Sequence, residues 1–305
     1  MALGGNALGG GETPTEVRDR RLSTTSVQLA DLVEQGHELI VTHGNGPQVG
    51  ELMLDQDSRQ DDSRGEPLPL DVLVAMTQAE LGYRLQRALR HEFSGRGLSV
   101  PVISLVTQVV VDPADPAFDE PTKPVGPGYH TRPVAGGPFV LTRGDRWRRV
   151  VPSPEPQELV ERSALLAVLD AGVVPICAGG GGIPVVRNNG ALVGIEAVVD
   201  KDLTSALLAH DLEADALLIL TDVERVVRHH GRPDAEPLHE IDVDEAAAMV
   251  AAGDAASGSM GPKLTAACRA AAQGRLAIIA RLGSATEALA GASGTRVVAS
   301  PEGGS

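Results

Sequence analysis

The three lysines of this chain are the residues best suited to chemistry that arginine cannot perform. They are Lys123, Lys201 and Lys263, out of 26 basic residues in a chain of 305. This skew indicates a coding bias that placed arginine wherever either cation would serve. Lysine offers a compact, strongly hydrated point charge on a flexible stem, whereas the guanidinium of arginine is a broad planar fork. The retained lysines are therefore candidates for a role that requires a point charge.

Two of the lysines lie where a predicted helix begins, which favours a bound anion over the alternative of ordinary surface lysines. Lys201 opens one predicted helix, and Lys263 follows Pro262, a residue type favoured at the first helical position. A cation there faces the positive end of the helix dipole, which costs about 0.3–1 kcal/mol. An anion held between the helix amides and the ammonium would reverse that sign. Asp200 and Asp202 flank Lys201 and could orient the lysine or face a metal.

Three glycine-rich segments are a second indication of an anionic ligand. They cover residues 2–10, 43–50 and 178–184, and they open the chain or follow predicted strands. Glycine lets a ligand approach the backbone, and consecutive amides at the carboxyl ends of strands can hold an anion. The chain has no G-x-x-x-x-G-K-[ST] motif, and residues 44–50 miss the dinucleotide-binding spacing by one residue. The segments therefore predict a phosphate-like ligand, with ordinary tight turns as the alternative for each segment alone.

Charge and composition exclude several classes of partner. The net charge of −15 would repel nucleic acid and anionic membranes, so we expect neither as a partner. No apolar run approaches the ~20 residues that cross a bilayer, and the first residues lack the pattern of a signal peptide. The two cysteines, Cys177 and Cys268, are typical of a reducing cytoplasm. We expect a cytoplasmic protein that captures anionic substrates at a local positive site.

Apolar strands alternate with amphipathic helices, which predicts a mostly parallel sheet covered by helices on both faces. The predicted strands are 38–42, 173–178, 215–221, 276–280 and 296–299. The predicted helices lie near 25–35, 71–93, 155–170, 201–211, 243–252 and 263–273, with one more after the segment 43–50. Asp222 ends the strongest strand, where it would contact a nucleotide or cap a turn.

One stretch breaks this alternation. Residues 112–156 are rich in proline and glycine, and within them 139–142 and 148–151 have the pattern of a small hairpin. We interpret 112–156 as an inserted subdomain of the kind that often forms a lid, with a disordered loop as the alternative. A change of composition near residue 212 further suggests two halves, 1–211 and 212–305, that share one sheet.

Ten motifs spread over nearly the whole chain resemble those of the carbamate kinases, which belong to the amino acid kinase superfamily. The most specific are PTKPVGP (121–127) and WRRVVPSPEP (147–156), because PTKP and VVPSP are not shared by acetylglutamate, aspartate or uridylate kinases. The others are ALGGNAL (2–8), THGNGPQVG (42–50), PLDVL (69–73), TQVVVDPADPAF (107–118), ICAGGGGIPV (176–185), GIEAVVDKDL (194–203), ADALLILTDV (214–223) and GSMGPK (258–263).

The resemblance implies one amino acid kinase domain over residues 1–305, with the subdomain at about 112–156 protruding from it. The implied fold is a three-layer α/β/α sandwich with a mostly parallel central sheet, assembled as a homodimer. The implied reaction is reversible phosphoryl transfer between carbamoyl phosphate and ADP, which gives ATP and carbamate with Mg²⁺ in arginine deiminase-type catabolism. Positioned cations do most of the work in such a transfer, and a pre-ionised carbamate requires no general base.

Residue roles follow from the same resemblance. Lys201 resembles the lysine that stabilises the moving phosphoryl group, and Asp202 the aspartate that positions the lysines. Lys263 resembles the lysine on the nucleotide phosphates, and Lys123 the one that the protruding subdomain lowers over the site. The residues expected around carbamate and the phosphoryl group are Gly4, Gly5, Asn6, Gly44 and Asn45. Those expected at the nucleotide are Asp222, Met260 and Lys263, in the half 212–305, and no residue is assigned to the metal.

Two departures from the family pattern lead to further expectations. Met1 falls inside the strand that precedes ALGGNAL, so we expect a shortened central strand or a start further upstream. The stretch before Trp147 is shorter than the family pattern, which indicates a reduced lid. The alternatives are another amino acid kinase that acts on a different carboxylate, and a ligand-binding homologue with little turnover. PTKP disfavours the first, and the complete set of lysines with Asp202 disfavours the second.

Overall fold

The computed structural model describes residues 1–4, 8, 14–57, 66–134, 136–142, 145–254 and 260–300. Its helices are α1 (Thr15–Glu34), α2 (Gly46–Asp57), α3 (Leu70–Gly95), α4 (Arg162–Asp170), α5 (Lys201–Asp211), α6 (Val243–Ala251), α7 (Met260–Ala272) and α8 (Ala285–Leu289). Its strands are β1 (Ala2–Leu3), β2 (Thr42–His43), β3 (Val102–Ser104), β4 (Gln108–Val111), β5 (Lys123–Tyr129), β6 (Phe139–Thr142), β7 (Arg146–Val151), β8 (Pro156–Leu159), β9 (Val174–Ile176), β10 (Ile183–Asn188), β11 (Ala191–Gly194), β12 (Ala216–Thr221), β13 (Val227–Arg228), β14 (Glu236–Pro237), β15 (Glu240–Asp242), β16 (Leu276–Arg281) and β17 (Thr295–Val298).

The central sheet has the strand order β15-β17-β16-β12-β1-β2. Its neighbouring strands run parallel except β16 and β17. Val41, just before β2, pairs in parallel with Ile176 of β9, and β9 pairs in parallel with β3. Strand β1 lies between β12 and β2 although it has only two residues, in agreement with the expected short central strand.

Strand β12 shows why the molecule has three layers. Leu218 and Leu220 pack with buried side chains of α1, α3 and α8, whereas Leu217 and Ile219 pack with those of α5, α6 and α7. Successive side chains of a strand point to opposite faces, so a continuous apolar strand must be covered on both sides. The fold is therefore the predicted α/β/α sandwich. None of the described helices is long and apolar enough to cross a membrane.

A three-stranded sheet with the order β5-β7-β6 stands apart from the central sheet and contains the predicted hairpin. Helix α2 packs directly on its strand β5. A Cβ atom on Gly50 of α2 would lie 2.0 Å from the backbone nitrogen of Gly126, which itself has a φ of +67°. Glycine at both positions therefore permits the two backbones to touch. This contact seats β5, whose first residue is Lys123, against α2.

Several boundaries differ from the sequence-based expectation. The segment 155–170 is not one helix, because residues 156–159 form β8, which pairs antiparallel with β4 in the sheet β11-β10-β4-β8. Pairing with an available strand outweighs local helix propensity there. Helix α2 begins within the glycine-rich segment rather than after it, and α1 begins well before residue 25. Helix α7 begins at Met260, so the prediction that Pro262 occupies the first helical position was wrong.

Candidate active site

The carboxyl ends of three neighbouring parallel strands bring predicted site residues to one edge of the sheet. Gly4 follows β1, and its N–H donates to the carbonyl of Leu220 at 2.8 Å. Gly44 follows β2, and its N–H donates to the carbonyl of Leu3 at 3.2 Å. Asp222 follows β12, the neighbour of β1 on the other side. This edge is where open α/β sheets bind their ligands.

The glycine run 179–182 joins Asn45 to the beginning of α5. A Cβ atom on Gly180 would lie 2.2 Å from Nδ2 of Asn45, and one on Gly181 would lie 2.4 Å from a backbone carbonyl oxygen just before α5. Thr204 of α5 also donates its hydroxyl to the carbonyl of Gly181 at 2.8 Å. The run therefore places the loop after β2 and the start of α5 on either side of one short segment.

The Asp202 carboxylate joins two of the three lysines. One of its oxygens accepts from Nζ of Lys201, and the other accepts from Nζ of Lys263 at 2.9 Å. Lys201 and Asp202 lie in the first turn of α5, and Lys263 lies in the first turn of α7. The three side chains are only 10%, 4% and 6% exposed, respectively. Two cations share one anion in a nearly buried place, which leaves an excess of positive charge there.

Burial sets the protonation behaviour of the groups around these lysines. It lowers the pKa of Lys201 below its ordinary value, while the charge of Asp202 acts in the opposite direction and that of Lys263 adds to the decrease. Burial also lowers the pKa of His43 to about 4, and the charge of Lys201 contributes to this decrease. His43 is therefore neutral at pH 7, and the lysines provide the positive charge.

Lys123, at the start of β5, bonds to Asp200 at the N-cap of α5. Its Nζ lies 2.8 Å from Oδ2 of Asp200, whose Oδ1 accepts the N–H of Asp202 at 2.9 Å. Burial alone would raise the pKa of Asp200, but the charge and hydrogen bond of Lys123, together with the charge of Lys201, hold it below its ordinary value. The three-stranded sheet therefore contacts the same helix start that holds Lys201.

Two neighbouring residues of α3 hold the loops of the site, and both were missed in the sequence. Thr77 accepts a hydrogen bond from Nδ2 of Asn45 at 2.8 Å. Gln78 donates from Nε2 to the carbonyls of Gly179, at 2.9 Å, and Thr107, at 3.1 Å. Both side chains are buried. The signal that could have revealed them is a pair of polar residues on the buried, otherwise mainly apolar face of a helix.

The remaining predicted residues lie on elements that neighbour these ion pairs or outside the described part of the chain. Gly5 and Asn6 lie outside the described residues. Asp222 is exposed after β12. Met260 is half-buried at the start of α7 and packs against the apolar cluster shared by α5, α6 and α7. Met260 thus belongs to the helix that carries Lys263, and Asp222 directly follows the strand beside β1.

The carboxylates of the site suit a metal ion that arrives with a phosphate ligand. The described residues contain no group of three or more His, Cys, Asp or Glu side chains arranged to hold a metal. Asp200 and Asp202 are both bonded to lysines. Mg²⁺ usually binds through one or two carboxylates together with substrate phosphates and water. The donor set therefore fits Mg²⁺ bound mainly by a nucleotide.

The fold is an α/β/α sandwich with buried lysines at the starts of α5 and α7. The model of the amino acid kinase family matches residues 1–281. The carbamate kinase of Thermococcus kodakarensis is 42% identical over 98% of this chain and 98% of its own length, and that of Halobacterium salinarum is 44% identical over 99% and 98%. The chain therefore belongs to the carbamate kinases of the amino acid kinase family.

Solved structures agree with this assignment. Carbamate kinase from Giardia lamblia bound to citric acid superposes with a TM-score of 0.89 at 36% identity and covers 98% of this chain and 97% of its own. The same enzyme bound to AMP-PNP gives a TM-score of 0.87 at 37% identity, with the same coverage. The similarity therefore extends over the central sheet, its helices and the three-stranded sheet alike.

Proposed function

We propose that this chain is an active carbamate kinase that transfers a phosphoryl group reversibly between carbamoyl phosphate and ADP, giving ATP and carbamate. The observation that carries the proposal is the buried Asp202 carboxylate shared by Lys201 and Lys263. Two ammonium groups against one carboxylate leave a net positive charge where solvent has little access. A transferring phosphoryl group would balance that charge, and the similarity to named carbamate kinases supports the choice of substrate.

Each lysine has a separate role in the proposed reaction. Lys201 stabilises the transferring phosphoryl group, whose charge is spread over its equatorial oxygens. Lys263 binds the nucleotide phosphates, and Asp202 holds the two ammonium groups in place before the substrates arrive. Lys123 adds a third cation from the protruding subdomain at about 112–156. Because these charges are fixed in advance, little reorganisation is needed during the transfer.

The remaining site residues divide between the two substrates. The carbamate and phosphoryl group lie in the half 1–211, and the nucleotide lies against the half 212–305. Asp222 and Met260 contact the nucleotide, with Lys263 on its phosphates. Gly4 and Gly44 follow the neighbouring strands β1 and β2 directly, which supports this division. The residues around carbamate and the phosphoryl group are Gly4, Gly5, Asn6, Gly44 and Asn45.

Mg²⁺ accompanies the nucleotide in this proposal. When bound, it neutralises charge on the phosphates. Asp200 and Asp202 are the carboxylates at the start of α5 that could approach it. Both are bonded to lysines, so their first task is to orient ammonium groups.

We also propose a cytoplasmic homodimer that acts in arginine deiminase-type catabolism. Met76 and Tyr83 on α3, and Val106 after β3, are 43%, 59% and 53% exposed. Large apolar side chains at the outer end of the sheet support a contact with a second copy of the chain. The net charge of −15 supports the expectation that neither nucleic acid nor a membrane is a partner.

The decisive experiment measures ATP formation by the full chain from ADP and carbamoyl phosphate, with Mg²⁺ and a coupled enzyme assay. We expect ATP only when both substrates are present. Aspartate and N-acetylglutamate, each supplied with ATP, serve as competing acceptors for the reverse reaction. Turnover of either in place of carbamate would indicate a different amino acid kinase. Nucleotide binding without any ATP formation, in protein shown to be folded, would indicate a binding homologue and overturn the proposal.

A further inference from the structure

We propose that Thr77 is a positioning residue that orients the side-chain amide of Asn45, so that the amide oxygen accepts a hydrogen bond from the amino group of the substrate. The proposal rests on the proposed function and adds to it a means of recognition. It explains how a carbamate site distinguishes an amino group from a methyl group of similar size.

The hydroxyl of Thr77 has one proton, and its hydrogen bonds determine where that proton lies. Oγ1 donates to the carbonyl oxygen of Val74, one turn earlier in α3, at 2.7 Å. The same oxygen lies 2.8 Å from Nδ2 of Asn45. Because a hydroxyl has one donor and two lone pairs, Oγ1 can only accept from Asn45. The nitrogen of the amide therefore faces Thr77, and Oδ1 is left on the other side.

Close packing holds the amide in this orientation. Asn45 is only 2% exposed. A Cβ atom on Gly180 would lie 2.2 Å from Nδ2, 2.3 Å from Cγ and 2.5 Å from Oδ1 of Asn45, so the glycine backbone lies against the amide itself. Gly181 in turn lies against the backbone that leads into Lys201. The oriented amide is therefore next to the segment that begins the lysine site.

The orientation matters because an amide has two chemically different ends. Its oxygen only accepts hydrogen bonds, and its nitrogen only donates them. Carbamate and carbamoyl phosphate carry an amino group that donates, whereas acetyl phosphate has a methyl group at that position. A buried acceptor that pairs with a substrate N–H is left unpaired by an analogue without one, so the analogue is rejected. An acceptor held by Thr77 would therefore select for the amino group.

The test compares Thr77→Val, Thr77→Ala and Thr77→Ser with the wild-type chain. Thr77→Val and Thr77→Ala both remove the oxygen that holds Nδ2. Valine preserves the volume of the side chain, whereas alanine does not. Thr77→Ser keeps the oxygen. Thr25→Val is the matched control, because Thr25 is a buried helical threonine whose hydroxyl also donates to a carbonyl of its own helix. For each protein, kcat/KM for carbamoyl phosphate is measured from ammonium release. The inhibition constant of acetyl phosphate is measured in the same assay.

We expect Thr77→Val and Thr77→Ala to lower kcat/KM for carbamoyl phosphate by about tenfold or more. The inhibition constant of acetyl phosphate should change by less than about threefold, and Thr77→Ser and Thr25→Val should behave like the wild type. An equal weakening of both ligands, or no change in either, would overturn the proposal. So would a failure of both Val and Ala variants to fold, since the hydroxyl would then serve stability. An inactive wild-type chain would instead refute the proposed function itself.

Discussion

Replacing Asp202 with asparagine tests whether one carboxylate controls two lysines. The substitution preserves the size of the side chain and removes the charge that Lys201 and Lys263 share. Both ammonium groups would then be buried beside a neutral amide. We expect the Asp202→Asn chain to fold with reduced stability and to lose most of its turnover, because the two cations repel each other and no longer keep their separation.

The magnitude follows from the two contacts. A hydrogen bond to a charged group contributes about 1.5–3 kcal/mol, and removal of one partner from a buried ion pair costs about 3–5 kcal/mol. The amide oxygen of asparagine can still accept from one lysine, which places the expected loss near the lower limit, at about 3 kcal/mol. A domain has about 5–15 kcal/mol of stability in total, so the Asp202→Asn chain should remain folded at 25 °C.

The pH dependence provides a separate check. Burial lowers the pKa of Lys201, and the charge of Asp202 partly offsets this decrease. Without Asp202 the pKa falls further, so turnover that needs a charged Lys201 should decline at a lower pH than in the wild type. A lysine whose pKa is lower when folded than when unfolded destabilises the fold while it is charged. This cost disappears as the pH rises towards the unfolded value near 10.4. The stability deficit of Asp202→Asn should therefore shrink with rising pH.

Urea unfolding at pH 7 and pH 9.5 measures the stability, and ATP formation between pH 6 and pH 10 measures the turnover. Asp31→Asn is the matched control, because Asp31 bonds to Arg96 at 2.6 Å on the surface. Exposed ion pairs contribute about 0–1 kcal/mol, so this control should lose little. If Asp202→Asn is as stable as Asp31→Asn and keeps the wild-type pH profile of kcat, the carboxylate does not control the lysines.

Three further predictions concern other contacts of the site. Lys201→Arg should lower kcat by roughly a hundredfold with the fold intact, because a guanidinium cannot replace a point charge; unchanged ATP formation would refute this. Gly180→Ala should cost about 1–3 kcal/mol more in urea unfolding than Gly172→Ala. Both glycines have nearly the same φ, +67° and +68°, but a Cβ atom on Gly172 meets nothing within 4 Å. Equal losses of unfolding free energy in the two variants would show that the contact of Gly180 with Asn45 is unimportant for stability. Lys123→Met should reduce the unfolding free energy at pH 7 by about 1.5 kcal/mol. Lys123 holds the pKa of Asp200 below its unfolded value near 3.9, so the difference should fade below about pH 4; a constant difference would contradict the ion pair.

The layers of the fold could be predicted because they depend on local pattern. The run at 215–221 is apolar at every position that faces either helical layer, so it could only be a strand buried on both sides. The start of α5 was equally readable, since Asp200 caps the helix through its own side chain and Lys201 follows it. In both cases the residues that decide the structure are neighbours in the chain.

The failures concern residues whose partners are distant in the chain. Residues 156–159 form a strand because β4 offers an edge more than 40 residues earlier, as the pairing of Val109 with Leu159 shows. Asp200 is predicted to orient Lys201 or face a metal, but its bond to Lys123 was not predicted. No spacing rule connects Lys123 to Asp200, because their contact requires the three-stranded sheet to stand against α5.

The pairing of Lys201 and Lys263 on Asp202 depends on how closely α5 and α7 approach each other. Aromatic residues make up only 2% of the chain, and the apolar cluster to which these two helices contribute is rich in alanine. The buried alanines of the two helices are Ala206, Ala209, Ala266, Ala267, Ala270 and Ala271. Small side chains allow helix axes to lie close together, so the first turns of α5 and α7 come within the reach of one carboxylate. The scarcity of aromatic residues thus has a consequence for the site. Where the two helices begin, a single aspartate holds two lysines.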